Sequence, residues 1–386
     1  MNRDEAYKSQ TYCPVIFNTV YSSNINDSYN LCCFSKYGLP LDKKYKKKTH
    51  TPFEFFLSKE MEDIRKKVLN GEKVPQCGRC YEEEKLIDYS NRKRYIKKAV
   101  ELPEEVDKIS LKLRNFGNHC NLACLMCHPH NSTTRMKELK DIGLDEPLFR
   151  EFADPSIDYE NLDYKSYQNF SKDLVNNADL INQIQITGGE PFQIPKVWQF
   201  LMEDMPKDKA KNINLCFDTN FTDLNWKNYT FEHLLDRYKK VLLNVSCDHI
   251  KDKLKFIRYP IDVNKFENNL IRYKDNVNRI SATVQMLNIF DLDDMVKYYS
   301  DFRVYTESYV IAPEILSVRN LKVEYKDKIN NQYSHYEEMN RMFYKELIKE
   351  PIADSKNKIN TYLNALSKHR NLDWKNIWGK DFLEVI

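Results

Sequence analysis

Hydrophobic residues beyond about position 100 fall into short runs, several of them alternating with polar residues, as in the strands of a sheet. The predicted strands cover residues 109–116, 184–186, 212–220, 241–248, 279–288 and 302–311. Between several of them, apolar residues recur at helical spacing, which predicts helices over residues 196–205, 230–238, 263–276 and 292–299. This alternation predicts an α/β fold with a parallel sheet, whose active residues gather at the carboxyl ends of the strands.

The first hundred residues show a different pattern. Residues 17–21 and 29–34 predict the two strands of a hairpin, with residues 24–28 as its turn. A helix is predicted over residues 51–69, because Thr51 can cap it, Pro52 suits its first turn and Gly71 can end it.

Residues 131–181 form a connection that is longer than an ordinary strand-to-helix link. Helices are predicted near residues 132–139 and 164–175, and the acidic and aromatic segment 144–163 is predicted to be an insertion that covers the substrate. Beyond residue 313 the chain is polar, and its clearest predicted helix covers residues 332–348.

Composition limits the class of protein without naming a partner. At 386 residues and 41% hydrophobic, the chain can bury a sizeable core in one large domain or two. Its net charge is +3, and its basic runs at residues 43–48 and 92–98 are more typical of a solvated face than of a nucleic-acid patch. No apolar run approaches the length of a membrane span, and no apolar segment follows residues 1–5 as in a secretory signal.

Three of the ten cysteines carry the central chemical prediction. Cys120, Cys124 and Cys127 have the spacing C-x3-C-x2-C on a loop just past the strand 109–116. Three thiolates on one short loop can hold three irons of a [4Fe-4S] cluster and leave the fourth iron open. The alternative is a zinc site completed by a nearby histidine, for which the candidates are His119, His128 and His130.

This spacing resembles the signature of the radical S-adenosylmethionine (SAM) enzymes. The resemblance implies that the open iron binds the amino and carboxylate groups of SAM, and that an electron from the cluster splits SAM into methionine and a 5′-deoxyadenosyl radical. A second resemblance is the run Gly188-Gly189-Glu190-Pro191, which ends the strand that comes next along the chain. In that family this run lies along SAM and holds its amino group.

Polar residues at later strand ends are further candidates. The family commonly uses groups at the fourth and fifth strand ends to hold SAM, and the matching positions here are Ser246, Asp248 and Asn288. For each of them the alternative is a strand-end cap or turn residue. Cys216 and Cys247 lie within apolar strands and are predicted to be free buried cysteines.

Five cysteines precede the main strand series: Cys13, Cys32, Cys33, Cys77 and Cys80. Cysteine pairs and triplets of this kind favour metal or cluster binding in a reducing cytoplasm over disulfides. Adjacent cysteines on a strand point in opposite directions, so one of Cys32 and Cys33 is expected not to be a ligand, and Cys32 is preferred. The alternative is a zinc ribbon that uses the same thiolates.

The same region resembles the auxiliary-cluster modules, SPASM or its shorter form twitch, of many radical SAM proteins. It is similar to a group in which the module precedes the barrel, and the matching residues after the cysteines are Glu84, Ser90 and Arg92. Asp27 stands where that group usually has glycine, and it can also adopt a left-handed turn. The run Ile257-Arg258-Tyr259-Pro260 also has a counterpart in that group, but the sequence assigns it no role.

These resemblances imply a partial (β/α)6 radical SAM barrel with an N-terminal cysteine-rich module that holds a second [4Fe-4S] cluster. The expected divisions are residues 1–100 for the module, 101–313 for the barrel and 314–386 for a helical extension. The expected activity is reductive cleavage of SAM in peptide or protein modification, with an electron donor such as flavodoxin or ferredoxin. The alternatives are modification of a nucleotide or RNA, and a zinc-stabilised binding protein without catalysis.

Overall fold

A computed structural model gives the architecture, and it describes residues 1–23, 27–36, 38–87, 89–157, 159, 167–332 and 346–386. The helix predicted over residues 332–348 lies almost entirely outside the described residues. The same holds for residues 24–26 of the predicted hairpin turn and for residues 160–166, where the predicted insertion meets the next helix.

Among the described residues, the strands confirm the predicted order along the chain. Each predicted run overlaps one strand, with ends displaced by a few residues, as is usual for element boundaries. The strands are β1 Thr19–Ser22, β2 Tyr29–Asn30, β3 Ile109–Leu113, β4 Ile181–Ile186, β5 Asn214–Thr219, β6 Lys240–Ser246, β7 Val277–Val284 and β8 Val304–Tyr309.

Helices occupy most of the connections between these strands. In chain order they are α1 Arg3–Lys8, α2 Val15–Asn18, α3 Pro40–Lys44, α4 Pro52–Phe56, α5 Lys59–Leu69, α6 Gly78–Ile87, α7 Asn91–Lys98, α8 Thr133–Asp141, α9 Glu146–Arg150, α10 Tyr167–Asn176, α11 Pro195–Trp198, α12 Lys207–Ala210, α13 Phe231–Arg237, α14 Lys251–Ile257, α15 Val263–Arg272, α16 Leu292–Tyr298, α17 Val323–Gln332, α18 Ser355–Arg370 and α19 Trp374–Trp378. No helix among the described residues is long and apolar enough to cross a membrane.

The chain divides into two compact units. The first contains Met1–Gly117, Asp163–Phe217 and Asn225–Leu242. Its strands lie in the order β2-β1-β3-β4-β5, and only the β1–β2 pair is antiparallel. Leu111, Ile184 and Leu215 are register partners on neighbouring strands and are fully buried, so they form one row of the core of this unit.

The second unit contains Asn118–Leu162, Asp218–Leu224 and Leu243–Ile386. Its strands β6, β7 and β8 pair in parallel, with Val245 opposite Ile280 and Ile280 opposite Val304. One hydrophobic cluster joins the C-terminal helix α18 to the region of the cysteine loop, and it includes Leu125 and Leu363. Both units therefore show an α/β arrangement with mostly parallel strands, consistent with a radical SAM partial barrel.

Two local predictions were wrong. The helix predicted over residues 51–69 is two helices, because Ser58 accepts a hydrogen bond from the Met61 N–H and starts α5 as a new helix. Cys32 and Cys33 lie in the turn after β2 rather than on a strand, so the argument from alternating side chains does not apply to them.

The divisions expected at residues 100 and 313 stay a prediction, because each of the two units is built from several segments of the chain. Strand β1 of the first hundred residues pairs in parallel with β3, so the cysteine-rich region and the next part of the chain share one sheet. Residues after 313 belong to the same unit as the cysteine loop 118–128.

Candidate functional site

The loop that carries Cys120, Cys124 and Cys127 is held by its backbone. Side chains of the helix that follows the loop bind two of its carbonyls: Thr134 Oγ1 donates to the Cys120 carbonyl at 2.5 Å and Ser132 Oγ to that of Leu122 at 2.7 Å. Cys120 and Cys124 are buried and Cys127 is half-buried. The loop thus has a fixed backbone, which positions the three thiols.

A second segment pairs with the same loop. The N–H groups of Ala123 and Leu125 donate to the carbonyls of Tyr259 and Ile257, at 2.6 and 3.0 Å. The segment 257–260 is the Ile-Arg-Tyr-Pro run, which had no role assigned from the sequence, and the structure places it alongside Cys124.

The sulfur atoms of Cys120 and Cys124 receive hydrogen-bond donors. Cys120 Sγ accepts from the Leu122 N–H at 3.5 Å and from Asn220 Nδ2 at 3.8 Å, and Cys124 Sγ lies 3.6 Å from Arg258 Nη1. Donors of this kind stabilise negative charge on sulfur and are a main means by which proteins tune iron–sulfur clusters. The donors at Cys120 and Cys124 suit thiolate ligands of an iron–sulfur cluster, and Cys127 lies on the same loop.

Two buried arginines bind backbone carbonyls of the cysteine loop. Arg370 at the end of α18 donates to the Ala123 carbonyl at 2.7 Å, and Arg135 of α8 donates to the Leu125 carbonyl at 3.1 Å. Glu138 lies between the two guanidinium groups, 2.6 Å from each, and is 3% exposed. Burial raises the pKa of Glu138, but Arg370 and then Arg135 lower it more, so its pKa lies below the usual carboxyl value.

We expect Glu138→Gln to destabilise the fold strongly, because it leaves two buried guanidinium groups with no compensating charge. Breaking a buried ion pair in this way costs about 3–5 kcal/mol. The free energy of unfolding from denaturant titration measures the loss. Glu146→Gln is the matched control, because Glu146 forms an exposed i,i+4 pair with Arg150 that is worth at most about 0.5 kcal/mol.

The pH dependence of this contribution has a definite sign. The pKa of Glu138 is lower in the folded protein, so its contribution is complete above the pKa of the unfolded chain and falls as pH drops towards the folded-state pKa. The wild-type advantage over Glu138→Gln should therefore shrink on acidification below about pH 4.5. A difference that stays constant down to that range and below it, or a loss no larger than that of Glu146→Gln, would contradict the assignment.

The Gly-Gly-Glu-Pro run lies in the first unit, directly after β4. Gly188 and Gly189 have φ values of +88° and +66°, in the left-handed region that favours glycine. The Glu190 side chain is 1% exposed and accepts the Phe192 N–H at 3.3 Å, so it caps the short helix that starts at Pro191. The backbone of this run therefore has a shape that only two glycines take without strain.

We expect Gly189→Val to weaken SAM binding, because a branched side chain strains this backbone and fills the space over it. Isothermal titration of cluster-loaded protein with SAM measures the affinity. Gly71→Val is the matched control, since Gly71 has a φ of +80° in the same unit and a Cβ atom added there would meet nothing within 4 Å. Equal SAM affinity in both cluster-loaded variants would count against the placement of SAM along Gly189.

The polar side chains predicted at later strand ends mostly form hydrogen bonds and ion pairs with other residues of their own unit. Asp248 is fully buried, forms an ion pair with Arg258 at 2.6 Å and accepts the Thr283 N–H at 2.7 Å. Asn288 donates to two carbonyls and accepts the N–H of Gln285, as a turn residue does. Ser246 is half-buried at the end of β6. All three residues stay predictions for SAM binding.

Sequence reasoning missed one residue of this region. Gln285 directly follows β7 and is fully buried, and neither polar atom of its side-chain amide has a hydrogen-bond partner among the described residues. A buried amide without a partner costs free energy, so it is expected to meet a bound group. Its position as the first residue after a strand could have identified Gln285 from the sequence. The predicted strand extended to residue 288 and therefore placed Gln285 inside it.

The N-terminal cysteines lie around one small cavity in the first unit. Its lining includes Cys13, Cys32, Cys77 and Cys80, which come from segments far apart in sequence, and Cys33 is not among the described residues that line it. Burial raises the pKa of Cys77 to about 12, so its thiol is protonated at neutral pH until a metal displaces the proton. Cys32, which the prediction preferred over Cys33 as the fourth ligand, thus lies on the cavity.

Cys32, one of these four cysteines, accepts two hydrogen bonds at its sulfur. The Phe34 N–H donates to Cys32 Sγ at 3.4 Å and the Ser35 hydroxyl at 3.8 Å. Such donors are typical of thiolate ligands in metal and cluster sites.

Three further residues of the resemblance meet in this region. Arg92 forms a bidentate ion pair with Glu84, at 2.9 and 2.5 Å, and Ser90 also donates to Glu84. Arg92 donates in addition to the carbonyls of Ser9 and Tyr12, at 2.7 and 2.9 Å. These contacts join the helix that carries Cys80 to the segment that leads into Cys13, so they position two of the candidate ligands.

Zinc sites and iron–sulfur clusters require different spacings of their thiolate ligands. Within the described part of the chain, no three His, Cys, Asp or Glu side chains form a group that could hold a metal ion. Zinc draws four sulfurs to within about 3.8 Å of one another, since each Zn–S bond is about 2.3 Å long in a tetrahedron. A cluster binds each thiolate through a different iron and so accepts more widely spaced sulfurs.

Comparison with known proteins identifies the part of the chain that carries the cysteine loop. The sequence matches the Radical SAM superfamily over residues 115–301. This match covers slightly less than half of the chain. The domain supports an enzyme of this class, and the superfamily implies a [4Fe-4S] cluster and SAM.

Solved structures also match this chain. A solved structure described as native anSMEcpe with bound AdoMet and Cp18Cys peptide matches at a TM-score of 0.38 and 22% sequence identity. The match covers 60% of this chain and 62% of that chain, so the present chain spans less than two thirds of the length of that protein. No curated protein matches the sequence.

Proposed function

We propose that this chain, through its radical SAM domain, cleaves SAM reductively and uses the resulting radical to abstract hydrogen from a substrate. The observation that carries the proposal is the C-x3-C-x2-C loop. Ser132, Thr134 and Arg135 fix its backbone, and the sulfurs of Cys120 and Cys124 receive donors. A loop with these features offers three thiolates at fixed positions and leaves one iron free for SAM.

A [4Fe-4S] cluster with an open iron binds SAM and supplies the electron that splits it into methionine and a 5′-deoxyadenosyl radical. Cys120, Cys124 and Cys127 would hold that cluster. Asn220 and Arg258 donate to the ligand sulfurs and stabilise their negative charge. The left-handed backbone at Gly188 and Gly189 would let SAM approach the main chain.

We propose in addition a second [4Fe-4S] cluster held by Cys13, Cys32, Cys77 and Cys80. Four thiols around one cavity fill the protein positions of a cluster and leave no iron open, so this site would not cleave SAM. The proposal is supported by Asn91, which lines the same cavity, is 1% exposed and has no hydrogen-bond partner for its amide among the described residues. Sulfide acceptors of a cluster would satisfy its N–H donors.

For the substrate we propose a peptide or protein, and for the electron donor a protein such as flavodoxin or ferredoxin. Both follow from the resemblance of the N-terminal region to auxiliary-cluster modules, because radical SAM proteins with such modules often modify peptides. The fold itself specifies no target, so these proposals rest on the cysteine arrangement around the cavity.

The test is anaerobic reduction of iron-reconstituted protein with dithionite in the presence of SAM. We expect formation of 5′-deoxyadenosine, and we expect protein purified without oxygen to contain iron and sulfide. Zinc in place of iron, with no 5′-deoxyadenosine, would instead support a zinc-stabilised binding protein.

A further inference from the structure

The Ile257-Arg258-Tyr259-Pro260 run contains a buried arginine next to the cysteine loop. Carbonyls on either side of Arg258 accept the N–H groups of Ala123 and Leu125, so the two segments run side by side within one unit. This pairing holds the Arg258 side chain close to Cys124, the cysteine between those two residues.

The guanidinium of Arg258 contacts both a candidate cluster ligand and a buried carboxylate. Its Nη1 lies 3.6 Å from Cys124 Sγ, and its Nε lies 2.6 Å from a carboxylate oxygen of Asp248. The Arg258 side chain is 9% exposed and that of Asp248 is fully buried, so solvent screens neither charge effectively. The planar guanidinium is suited to holding both partners at once.

We propose that Arg258 is a positioning residue that sets the reduction potential of the iron–sulfur cluster on Cys124, with Asp248 as the counter-charge that moderates its effect. This inference rests on the proposed function. It assigns the Ile-Arg-Tyr-Pro run to the control of the cluster rather than to binding of the substrate.

The physical reason is electrostatic. Reduction adds one negative charge to a cluster, and a buried cation in contact with a ligand sulfur stabilises that charge and raises the potential. The other charged groups that act on Cys124 are Arg370 and Arg135, and both of these are paired with Glu138. Cys247 also faces Arg258, but burial raises the pKa of its thiol to about 12 and keeps it neutral.

The two members of the pair should therefore shift the potential in opposite directions. Arg258→Gln removes the cation and should move the potential to a more negative value. Asp248→Asn keeps an oxygen for the Thr283 N–H but leaves Arg258 without its counter-charge, so it should move the potential to a more positive value. A purely structural role predicts loss of cluster in both variants and no opposite shifts.

The experiment is a redox titration of reconstituted protein, followed by electron paramagnetic resonance of the reduced cluster. Measuring it in a Cys77→Ala/Cys80→Ala background leaves the Cys120–Cys127 cluster as the source of the signal. Arg272→Gln is the matched control, because it removes the same charge from an exposed site on α15 in the same unit. This control should leave the potential unchanged.

The outcomes separate the inference from the function on which it rests. Absence of any iron–sulfur signal in the parent protein would overturn the proposed function. A parent signal with the same potential in Arg258→Gln and Asp248→Asn would overturn the inference alone. If Arg258→Gln retains no cluster, the positive shift in Asp248→Asn still decides: its presence supports the inference, and an unchanged or more negative potential overturns it.

Discussion

Replacing Cys120, Cys124 and Cys127 together by alanine is expected to abolish formation of 5′-deoxyadenosine from SAM. The expected effect is total because, in the proposed function, the cluster on this loop alone would offer SAM an open iron. Product formation is measured by chromatography after anaerobic reduction, with the wild-type protein reconstituted in parallel. Cys216→Ala is the control, because Cys216 is a buried cysteine within strand β5 with no place in either cysteine set.

The iron content of the same triple variant gives a second measurement. If the protein holds two four-iron clusters, the variant should retain about half of the wild-type iron and still show a reducible cluster. Equal amounts of 5′-deoxyadenosine from the triple variant and the wild type would refute the assignment of the catalytic cluster. The Cys216→Ala protein should resemble the wild type in both measurements.

The second large effect is expected from Cys77→Ala/Cys80→Ala. This change removes two of the four thiols around the N-terminal cavity and should release the other half of the iron. Uncoupled cleavage of SAM should continue, because the cysteines that would hold the catalytic cluster lie on a different loop and in a different unit. Iron analysis, sulfide analysis and the 5′-deoxyadenosine assay measure these outcomes.

The same variant should also loosen the region around the cavity. Cys13, Cys32 and Cys80 come from separate segments, and metal binding to such a set contributes directly to folding. Limited proteolysis should therefore cut the first hundred residues faster. Cys33→Ala is the matched control, since Cys33 is adjacent to a ligand but is not one of the described residues lining the cavity. Full iron content in Cys77→Ala/Cys80→Ala, or zinc in the native site, would contradict the auxiliary-cluster proposal.

Several features were predictable because they are local in sequence. The strands β3 to β8 follow from runs of apolar residues, and the start of α4 follows from Thr51 and its capping box with Glu54. The loop chemistry follows from the spacing of its cysteines. Spacing within one loop limits the distances between side chains before any tertiary contact forms, so the cluster ligands could be proposed from the sequence alone.

Other features depended on contacts between distant segments. The prediction preferred Cys32 on the assumption of a strand, whereas in the structure a turn after β2 places it on the cavity. Asp248 matched a SAM-binding position in the family, but the fold pairs it with Arg258. Periodicity and spacing do not predict such buried ion pairs, because a charged residue is expected to be exposed as long as its partner in the fold is unknown.

The sequence by itself determined the alternating α/β pattern, the three-cysteine loop and the glycine pair after β4, because each depends on residues within about ten positions of one another. Only the tertiary structure decided what surrounds the sulfurs. Arg370 reaches the Ala123 carbonyl across 247 positions and Arg258 reaches Cys124 across 134, and both are buried with their counter-charges. Burial turns such contacts into strong electrostatic effects, and burial is a property of the packed chain rather than of any segment of it.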